Sequence, residues 1–181
     1  MKKTIALDMD QVLADLVQEK LDRFNKKYDK QLTKKDMIGL TLVEKYPELK
    51  DEIYQMVNTY DFFRHLPVIE HSQEVVQELS EHYDIFIATA AMFAPESLQA
   101  KYEWLREHFS FIPPHNFIFC GVKSIVHTDY LIDDSLEQLE IFKGQGIMFS
   151  APHNRYEDFD VKLDDWLHVR DYFMTAISME K

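Results

Sequence analysis

The chain has 181 residues, of which 46% are hydrophobic, enough apolar material for one ordinary domain with an insertion. Its formal net charge of −12 at pH 7 argues against a nucleic-acid polymer as partner, because the overall field repels a polyanion; a small anionic substrate is still compatible if a metal ion or local cations correct the field. The single cysteine, Cys120, excludes an internal disulfide and fits a reducing compartment.

The amino-terminal segment does not resemble an export signal. The apolar run that follows Lys2 and Lys3 ends at Asp8, and no stretch approaches the roughly 20 apolar residues that a membrane span needs. We therefore expect a cytoplasmic protein with no membrane partner. The sequence leaves a homodimer open.

The first predicted strand is the apolar run 5–7, and a long helical segment follows it. Residues 15–70 contain no strand candidate. One amphipathic helix is predicted from the spacing of Val17, Leu21, Phe24 and Tyr28. A second helix is expected after the capping-box pattern Thr33–Asp36, and a third over roughly 48–58. An insertion at this point would cover the carboxyl edge of the sheet, so we interpret residues 15–70 as a cap.

Four further apolar runs are continuous rather than alternating, which is typical of parallel strands covered on both faces. These runs are 85–88, 117–119, 130–132 and 147–149. Segments whose apolar residues have helical spacing lie between most of these runs. The alternation predicts an open α/β sheet formed by residues 1–14 and 71–181. The link from 119 to 130 is too short for a crossover helix and predicts a short helical turn.

Three of the helices in this second part are predicted from apolar residues that recur every three or four positions. The predicted faces are Val75, Val76, Leu79 and Tyr83; Leu98, Tyr102, Leu105 and Phe109; and Trp166, Val169, Phe173 and Ile177.

Most of the residues that follow the predicted strands are polar or charged. They are Asp8 and Asp10 after the first strand, Thr89 and Ala90 after the second, Lys123 after the third, and Asp133 and Asp134 after the fourth. In an open α/β sheet, ligands bind in the crevice outside the carboxyl ends of the strands. The sequence therefore predicts that carboxylates, a hydroxyl and an ammonium group converge on one site.

This combination of groups suits phosphate chemistry. Neighbouring carboxylates repel one another unless a cation lies between them, and hard oxygen ligands favour Mg²⁺. Thr89, Lys123 and backbone N–H groups after the second strand would bind phosphate oxygens. Catalysis of phosphoryl transfer depends mainly on positioning and electrostatics, which such a site could supply.

Asp8 and Asp10 suggest a division of labour in that chemistry. If the chain turns at Met9, Asp10 can reach the leaving-group side while Asp8 attacks phosphorus and forms an aspartyl phosphate. Asp10 would protonate the leaving oxygen and then deprotonate the attacking water, acid–base help typically worth about 10²–10⁴-fold.

These residues resemble the four motifs of the haloacid dehalogenase superfamily, in the same order and strand context. More narrowly, the segments that carry the likeness resemble the 5′(3′)-deoxyribonucleotidases. They are Met9, Val12–Asp15, Lys101–Trp104 and Tyr130–Asp134. The resemblance implies a Rossmann-like three-layer parallel-sheet core with a small helical cap inserted after strand 1. The implied reaction is Mg²⁺-dependent removal of phosphate from a deoxynucleoside monophosphate.

The resemblance also implies roles for single residues. Asp8 is the expected nucleophile and a metal ligand, and Asp10 is the acid–base residue that also binds metal through its backbone carbonyl. Asp133 is the third expected metal ligand, and Asp134 is expected to hold a metal-bound water. Thr89, Ala90 and Lys123 are expected to hold phosphate, Ala90 through its backbone N–H.

This sequence departs from the family pattern at four positions. Gln11 replaces a common Gly and would place a side chain at the mouth of the site. Ala90 lacks a frequent hydroxyl, Ser135 replaces a frequent basic residue, and Leu16 stands where an aromatic residue can face the base.

Two further groups of residues are rich in aromatic side chains. Tyr60, Phe62 and Phe63 could stack on a nucleobase, which makes Phe62 and Phe63 candidate substrate-binding residues, or could close the hydrophobic seam between cap and core. Lys101–Trp104 is interpreted as structural, with Tyr102 and Leu105 on a core face.

Three other functions compete with nucleotidase activity. A phosphatase could act on another small ester such as a sugar phosphate. A phospho-acceptor receiver domain also gathers acids and a lysine at strand ends, but it accepts phosphate on a later strand and lacks a large insertion. A phosphate-binding domain without catalysis could keep the same fold.

Overall fold

The computed structural model describes residues 2–179. Within them, six strands form one parallel sheet in the spatial order β3-β2-β1-β4-β5-β6. The strands are β1 Thr4–Leu7, β2 Asp84–Thr89, β3 Phe117–Phe119, β4 Tyr130–Asp133, β5 Gln145–Phe149 and β6 Lys162–Leu163. The five strands predicted from apolar runs are confirmed. The sixth was missed because it is only two residues long.

Helices connect these strands and cover the sheet. They are α1 Leu16–Tyr28, α2 Leu42–Lys45, α3 Lys50–Val57, α4 Tyr60–Arg64, α5 Ser72–Ser80, α6 Ser97–His108, α7 Leu136–Ile141 and α8 Trp166–Met179. Short 3₁₀ turns occupy Lys34–Met37, Pro47–Leu49, Pro114–Asn116 and Lys123–Ile125. The last of these is the short helical turn predicted between the third and fourth strands. The α/β fold class is confirmed. No helix within residues 2–179 is long and apolar enough to cross a membrane.

The segment between β1 and α5 contains α1–α4 and has a hydrophobic cluster of its own. The buried members of this cluster are Leu21, Phe24, Met37, Leu42 and Ile53. We propose that residues 15–70 form a cap and that residues 1–14 and 71–181 form the core. Residues 1, 180 and 181 of those bounds lie outside the described part of the chain.

Two details of the predicted helices are wrong. The capping box between Thr33 and Asp36 is present, but it starts only a 3₁₀ turn, because Ile38 is extended and Gly39 follows with φ of 72°. The predicted face of α6 is also shifted. Leu98 and Tyr102 are 49% and 39% exposed, and the buried face instead carries Ser97, Ala100, Lys101, Trp104 and Leu105.

Candidate active site

Asp8 and Asp133 meet because their strands are neighbours. Leu7 of β1 pairs with Ile132 of β4, and the backbone N–H of Asp8 donates to the Ile132 carbonyl at 2.9 Å. Each acid therefore leaves the sheet at the same level of its carboxyl edge. Carboxylate oxygens of Asp8, Asp133 and Asp134 lie within 4.8 Å of one another. Asp8 is 7% exposed and Asp133 is fully buried.

Lys123 bridges two of these acids. Its Nζ lies 2.8 Å from Asp8 Oδ1 and 2.5 Å from Asp133 Oδ2. Its backbone N–H donates to Gln138 Oε1 at 2.9 Å, which fixes the turn that carries it. Burial disfavours the ammonium ion, but the charges of Asp8 and Asp133 outweigh this, so the pKa of Lys123 lies above its ordinary value. Lys123 therefore carries a positive charge between two of the site's acids.

The donor set fits a divalent cation. Burial, and then the charge of Asp8, raise the pKa of Asp133 to about 6, although Lys123 opposes the shift. Burial and the charges of Asp8 and Asp133 raise the pKa of Asp134 well above its ordinary value. Crowded, desolvated carboxylates of this kind are hard oxygen ligands, and a bound Mg²⁺ would favour their ionised forms.

Asp10 points to a different part of the site from Asp8. The chain turns immediately after β1, where the backbone N–H groups of Leu13 and Ala14 both donate to the Met9 carbonyl. Burial raises the pKa of Asp10, and the charge of Lys101 opposes this. Lys101 Nζ lies 2.7 Å from Asp10 Oδ2.

Lys101 is a site residue that the sequence analysis missed. The sequence analysis interpreted it as part of a structural motif and did not predict that its ammonium group contacts Asp10, Thr89 and the Ala90 carbonyl. The available signal was a lysine three residues before Trp104 on a helix, which places a charge on the same face as a large aromatic side chain. Tyr102 was assigned to that face instead and is exposed.

The end of β2 lies beside Lys101 as well. Thr89 is 1% exposed, and its Oγ1 accepts a hydrogen bond from Lys101 Nζ at 3.1 Å. The Thr89 hydroxyl keeps its own proton for donation, since the bond to Lys101 uses only an acceptor lone pair. Binding of phosphate by Thr89, Ala90 and Lys123 stays a prediction.

Phe62 and Phe63 pack in the main hydrophobic core. They are 0% and 6% exposed, and their rings meet edge to face with centroids 5.1 Å apart. The Arg23 guanidinium lies 5.2 Å from the Phe62 ring, and Lys101 Nζ lies 5.1 Å from the Phe63 ring. Neither phenylalanine lines the cavity beside Asp10. Base stacking by either residue stays a prediction that this packing does not favour.

A cavity of about 350 Å³ lies between the cap and the edge of the sheet, a size within the range of small-molecule sites. The core side contributes Asp10, Gln11, Asp134, Pro152 and His153, and the cap side contributes Leu16, Val17, Lys20, Leu21, Met37, Leu40, Thr41 and Leu42. The cavity therefore has an apolar cap wall and a polar floor that contains the predicted acid–base residue. Burial lowers the pKa of Lys20, and the charge of Asp10 partly offsets this.

Gln11 and His153 also line the polar side of this cavity. Gln11 adopts a left-handed conformation, with φ of 59°, and its Oε1 accepts from the Val17 backbone N–H at 2.6 Å. Its side chain thus caps α1 instead of only occupying the mouth of the site. His153 Nε2 lies 3.5 Å from Asp134 Oδ2; the sequence offered no spacing that marked this histidine.

Comparison with known proteins places these features in a family context. The family model described as 5′ nucleotidase, deoxy (pyrimidine), cytosolic type C protein matches residues 2–179. A relative from Bacillus subtilis (strain 168) named 5′(3′)-deoxyribonucleotidase is 44% identical over 169 residues, 93% of this chain and 97% of its own length. A relative from Staphylococcus aureus (strain Mu50 / ATCC 700699), with the same name given provisionally, is 47% identical over 176 residues, 97% of this chain and 98% of its own.

A solved structure shares the fold at low sequence identity. A haloacid dehalogenase-type hydrolase from Bacillus subtilis, bound to magnesium, superposes with a TM-score of 0.58 at 14% identity. The match covers 94% of this chain and 98% of the other. At this identity the likeness concerns the fold alone.

Proposed function

This chain belongs to the family of cytosolic type C deoxy (pyrimidine) 5′ nucleotidases and is a phosphoric monoester hydrolase, and on this premise we propose that it hydrolyses deoxynucleoside monophosphates through a phosphorylated Asp8. The observation that carries the proposal is the convergence of Asp8, Lys123 and Asp133 at one edge of the sheet. Phospho-acceptor and purely phosphate-binding functions do not agree with the hydrolase family.

Asp8 is the nucleophile in this proposal. Its carboxylate is held by Lys123 through Oδ1, which leaves Oδ2 available for attack on phosphorus. The attack splits hydrolysis into formation and breakdown of an aspartyl phosphate, each with a lower barrier than direct attack of water.

Lys123 and Thr89 bind the transferring phosphoryl group. Lys123 has three N–H donors and directs two of them to Asp8 and Asp133, so one remains for a phosphate oxygen. The Thr89 hydroxyl and the backbone N–H of Ala90 supply neutral donors. Fixed donors of this kind stabilise charge that develops in the transition state.

Asp8, Asp133 and the backbone carbonyl of Asp10 would hold Mg²⁺, with Asp134 orienting a bound water. When bound, the ion would neutralise charge on the phosphoryl oxygens. The clustered carboxylates of Asp8, Asp133 and Asp134 support this assignment.

Asp10 acts on the leaving group. It lines the cavity under the cap, where the nucleoside part of the substrate would lie against the apolar residues of α1. The Asp10 carboxyl donates its proton to the departing sugar oxygen and later takes a proton from water.

A panel of phosphate esters tests the proposal. Purified protein with Mg²⁺ should hydrolyse deoxynucleoside monophosphates faster than sugar phosphates, because only a nucleoside fills the apolar part of the cavity. Asp8→Asn should abolish turnover of every ester, whereas Asp51→Asn, at an exposed cap position, should leave it intact. Preference for sugar phosphates would replace the proposed substrate, and full activity of Asp8→Asn would refute the nucleophile.

A further inference from the structure

Lys101 is buried more completely than Lys123, the other lysine that contacts the site acids. It lies in the middle of α6 and is 1% exposed. A lysine is almost never buried to this degree unless its charge is paired. Its environment therefore requires an explanation beyond packing of the helix.

All three donors of the Lys101 ammonium are used inside the protein. Nζ contacts Asp10 Oδ2 at 2.7 Å, the Ala90 carbonyl at 2.6 Å and Thr89 Oγ1 at 3.1 Å. An ammonium has three N–H groups and no acceptor. Lys101 therefore has no donor left for a substrate, in contrast to Lys123, which uses only two.

The orientation of the Asp10 carboxyl depends on this lysine. Among residues 2–179, Lys101 is the sole side chain or backbone group that hydrogen-bonds to that carboxyl, through Oδ2. The second oxygen, Oδ1, is buried without a partner in the same part of the chain. The Phe63 ring lies 5.1 Å from Nζ and closes the remaining side of the ammonium.

We infer that Lys101 is a positioning residue that holds the Asp10 carboxyl in line for proton transfer and ties it to the phosphate-binding end of β2. This inference rests on the proposed function and adds a residue to it. Lys101 does not touch the substrate. It sets the distance between the proton donor, Asp10, and the loop at Thr89 and Ala90 that would hold phosphate.

In the proposed reaction, the contact of Lys101 with Asp10 acts on the two proton transfers. In the first step, an Asp8 oxygen forms a bond to phosphorus while the ester P–O bond breaks, and its electron pair goes to the leaving oxygen, which takes the proton of Asp10. In the second step, water attacks phosphorus, its proton returns to Asp10, and the P–O bond to Asp8 breaks to release phosphate. Both proton movements require a correctly placed Asp10, whereas the bond changes at phosphorus do not use Lys101.

Comparison of two leaving groups tests this inference. Thymidine 5′-monophosphate releases an alkoxide that needs a proton, whereas p-nitrophenyl phosphate releases a stable anion. Lys101→Met should slow single-turnover phosphorylation by thymidine 5′-monophosphate by about 10²-fold, the loss expected for a misplaced catalytic group. The burst of p-nitrophenol in the first turnover should stay near the wild-type rate, while later turnovers slow because water activation also uses Asp10. KM for both esters should change little.

Two further variants make the result specific. Arg106→Met makes the same kind of change at an exposed position of the same helix and should leave both reactions unaltered. Combination of Lys101→Met with Asp10→Ala should give no loss beyond that of Asp10→Ala alone, since residues that act as one unit are not additive. The comparison of Asp10→Ala with the double variant is informative even if Lys101→Met lowers thermal stability.

The outcomes distinguish failure of the proposed function from failure of the inference about Lys101. If the wild-type protein hydrolyses neither ester, the proposed function itself fails. The inference about Lys101 is overturned if the wild-type protein hydrolyses both esters but Lys101→Met reduces the two first-turnover rates equally. It is also overturned if Lys101→Met still reduces the rate in the Asp10→Ala background. Either result would mean that Lys101 supports phosphate binding or folding instead.

Discussion

Asp133 is a buried acid whose ionisation the fold opposes. Its pKa is raised from 3.8 to about 6 by burial and by Asp8. An acid with a higher pKa in the folded state binds its proton more tightly there, so its contribution to stability is greatest below pH 3.8 and falls as the pH rises to about 6. Metal-free protein should therefore lose stability from this residue across that interval.

Magnesium should reverse this loss, because a metal ion competes with protons for carboxylates. We expect Mg²⁺ to raise the melting temperature more at about pH 7.5 than at about pH 5, where protons occupy the ligands. Asp133→Asn should remove the magnesium-dependent rise, and Asp51→Asn should retain it. Differential scanning calorimetry with and without Mg²⁺ measures both. An equal rise at the two pH values would argue against binding at these carboxylates.

Gln11 shows why single residues of the site could be predicted only in part. The sequence indicated that it stands where Gly is common, and the left-handed φ of 59° gives the physical reason for that preference. Its hydrogen bond to the Val17 N–H depends on where α1 begins, which no local pattern reveals. Lys101 was missed for a related reason, since its partners lie at or just after the ends of β1 and β2.

At the scale of elements, the carboxyl ends of the strands were predictable, whereas the packing within residues 15–70 was not. Continuous apolar runs identify parallel strands, and parallel strands bring Asp8, Thr89, Lys123 and Asp133 to one edge. The cap has short helices separated by turns, such as the one at Gly39, and its packing is decided by tertiary contacts. The cavity under the cap therefore followed from the structure rather than from any motif.

Helix α1 should influence the substrate through Lys20, which lines the cavity opposite Asp10 and Asp134. Its desolvated ammonium can bind an acceptor on the leaving group, so Lys20→Met should lower kcat/KM for thymidine 5′-monophosphate by about tenfold, the equivalent of one hydrogen bond to a charged group. The change should appear in KM. Turnover of p-nitrophenyl phosphate should be affected less, because its leaving group is smaller.

Lys26→Met is the matched control, at an exposed position of the same helix. Steady-state kinetics on both esters checks the prediction. Equal losses for the two esters in Lys20→Met would show that Lys20 acts on the phosphate or on the fold rather than on the leaving group.

At the scale of the whole molecule, the acidic character and the anionic substrate are compatible. A net charge of −12 repels long polyanions, but Lys101, Lys123 and a bound cation would reverse the local field at the sheet edge. The family model matches residues 2–179, so the proposed cap and the proposed core both lie within the family match. Composition alone could not reveal how an acidic protein accepts an anionic substrate, since the decisive charges are a few buried groups.

The most direct test of the account is to trap phosphate on Asp8. Asp10→Asn should still accept a phosphoryl group from p-nitrophenyl phosphate, which needs no acid, but should release it slowly because water activation is lost. Intact-mass spectrometry of this variant with Mg²⁺ should show one added phosphoryl group, located on the peptide that contains Asp8 and absent when Asp8→Asn is added. Release of p-nitrophenol without any adduct, or an adduct on another residue, would contradict the proposed chemistry.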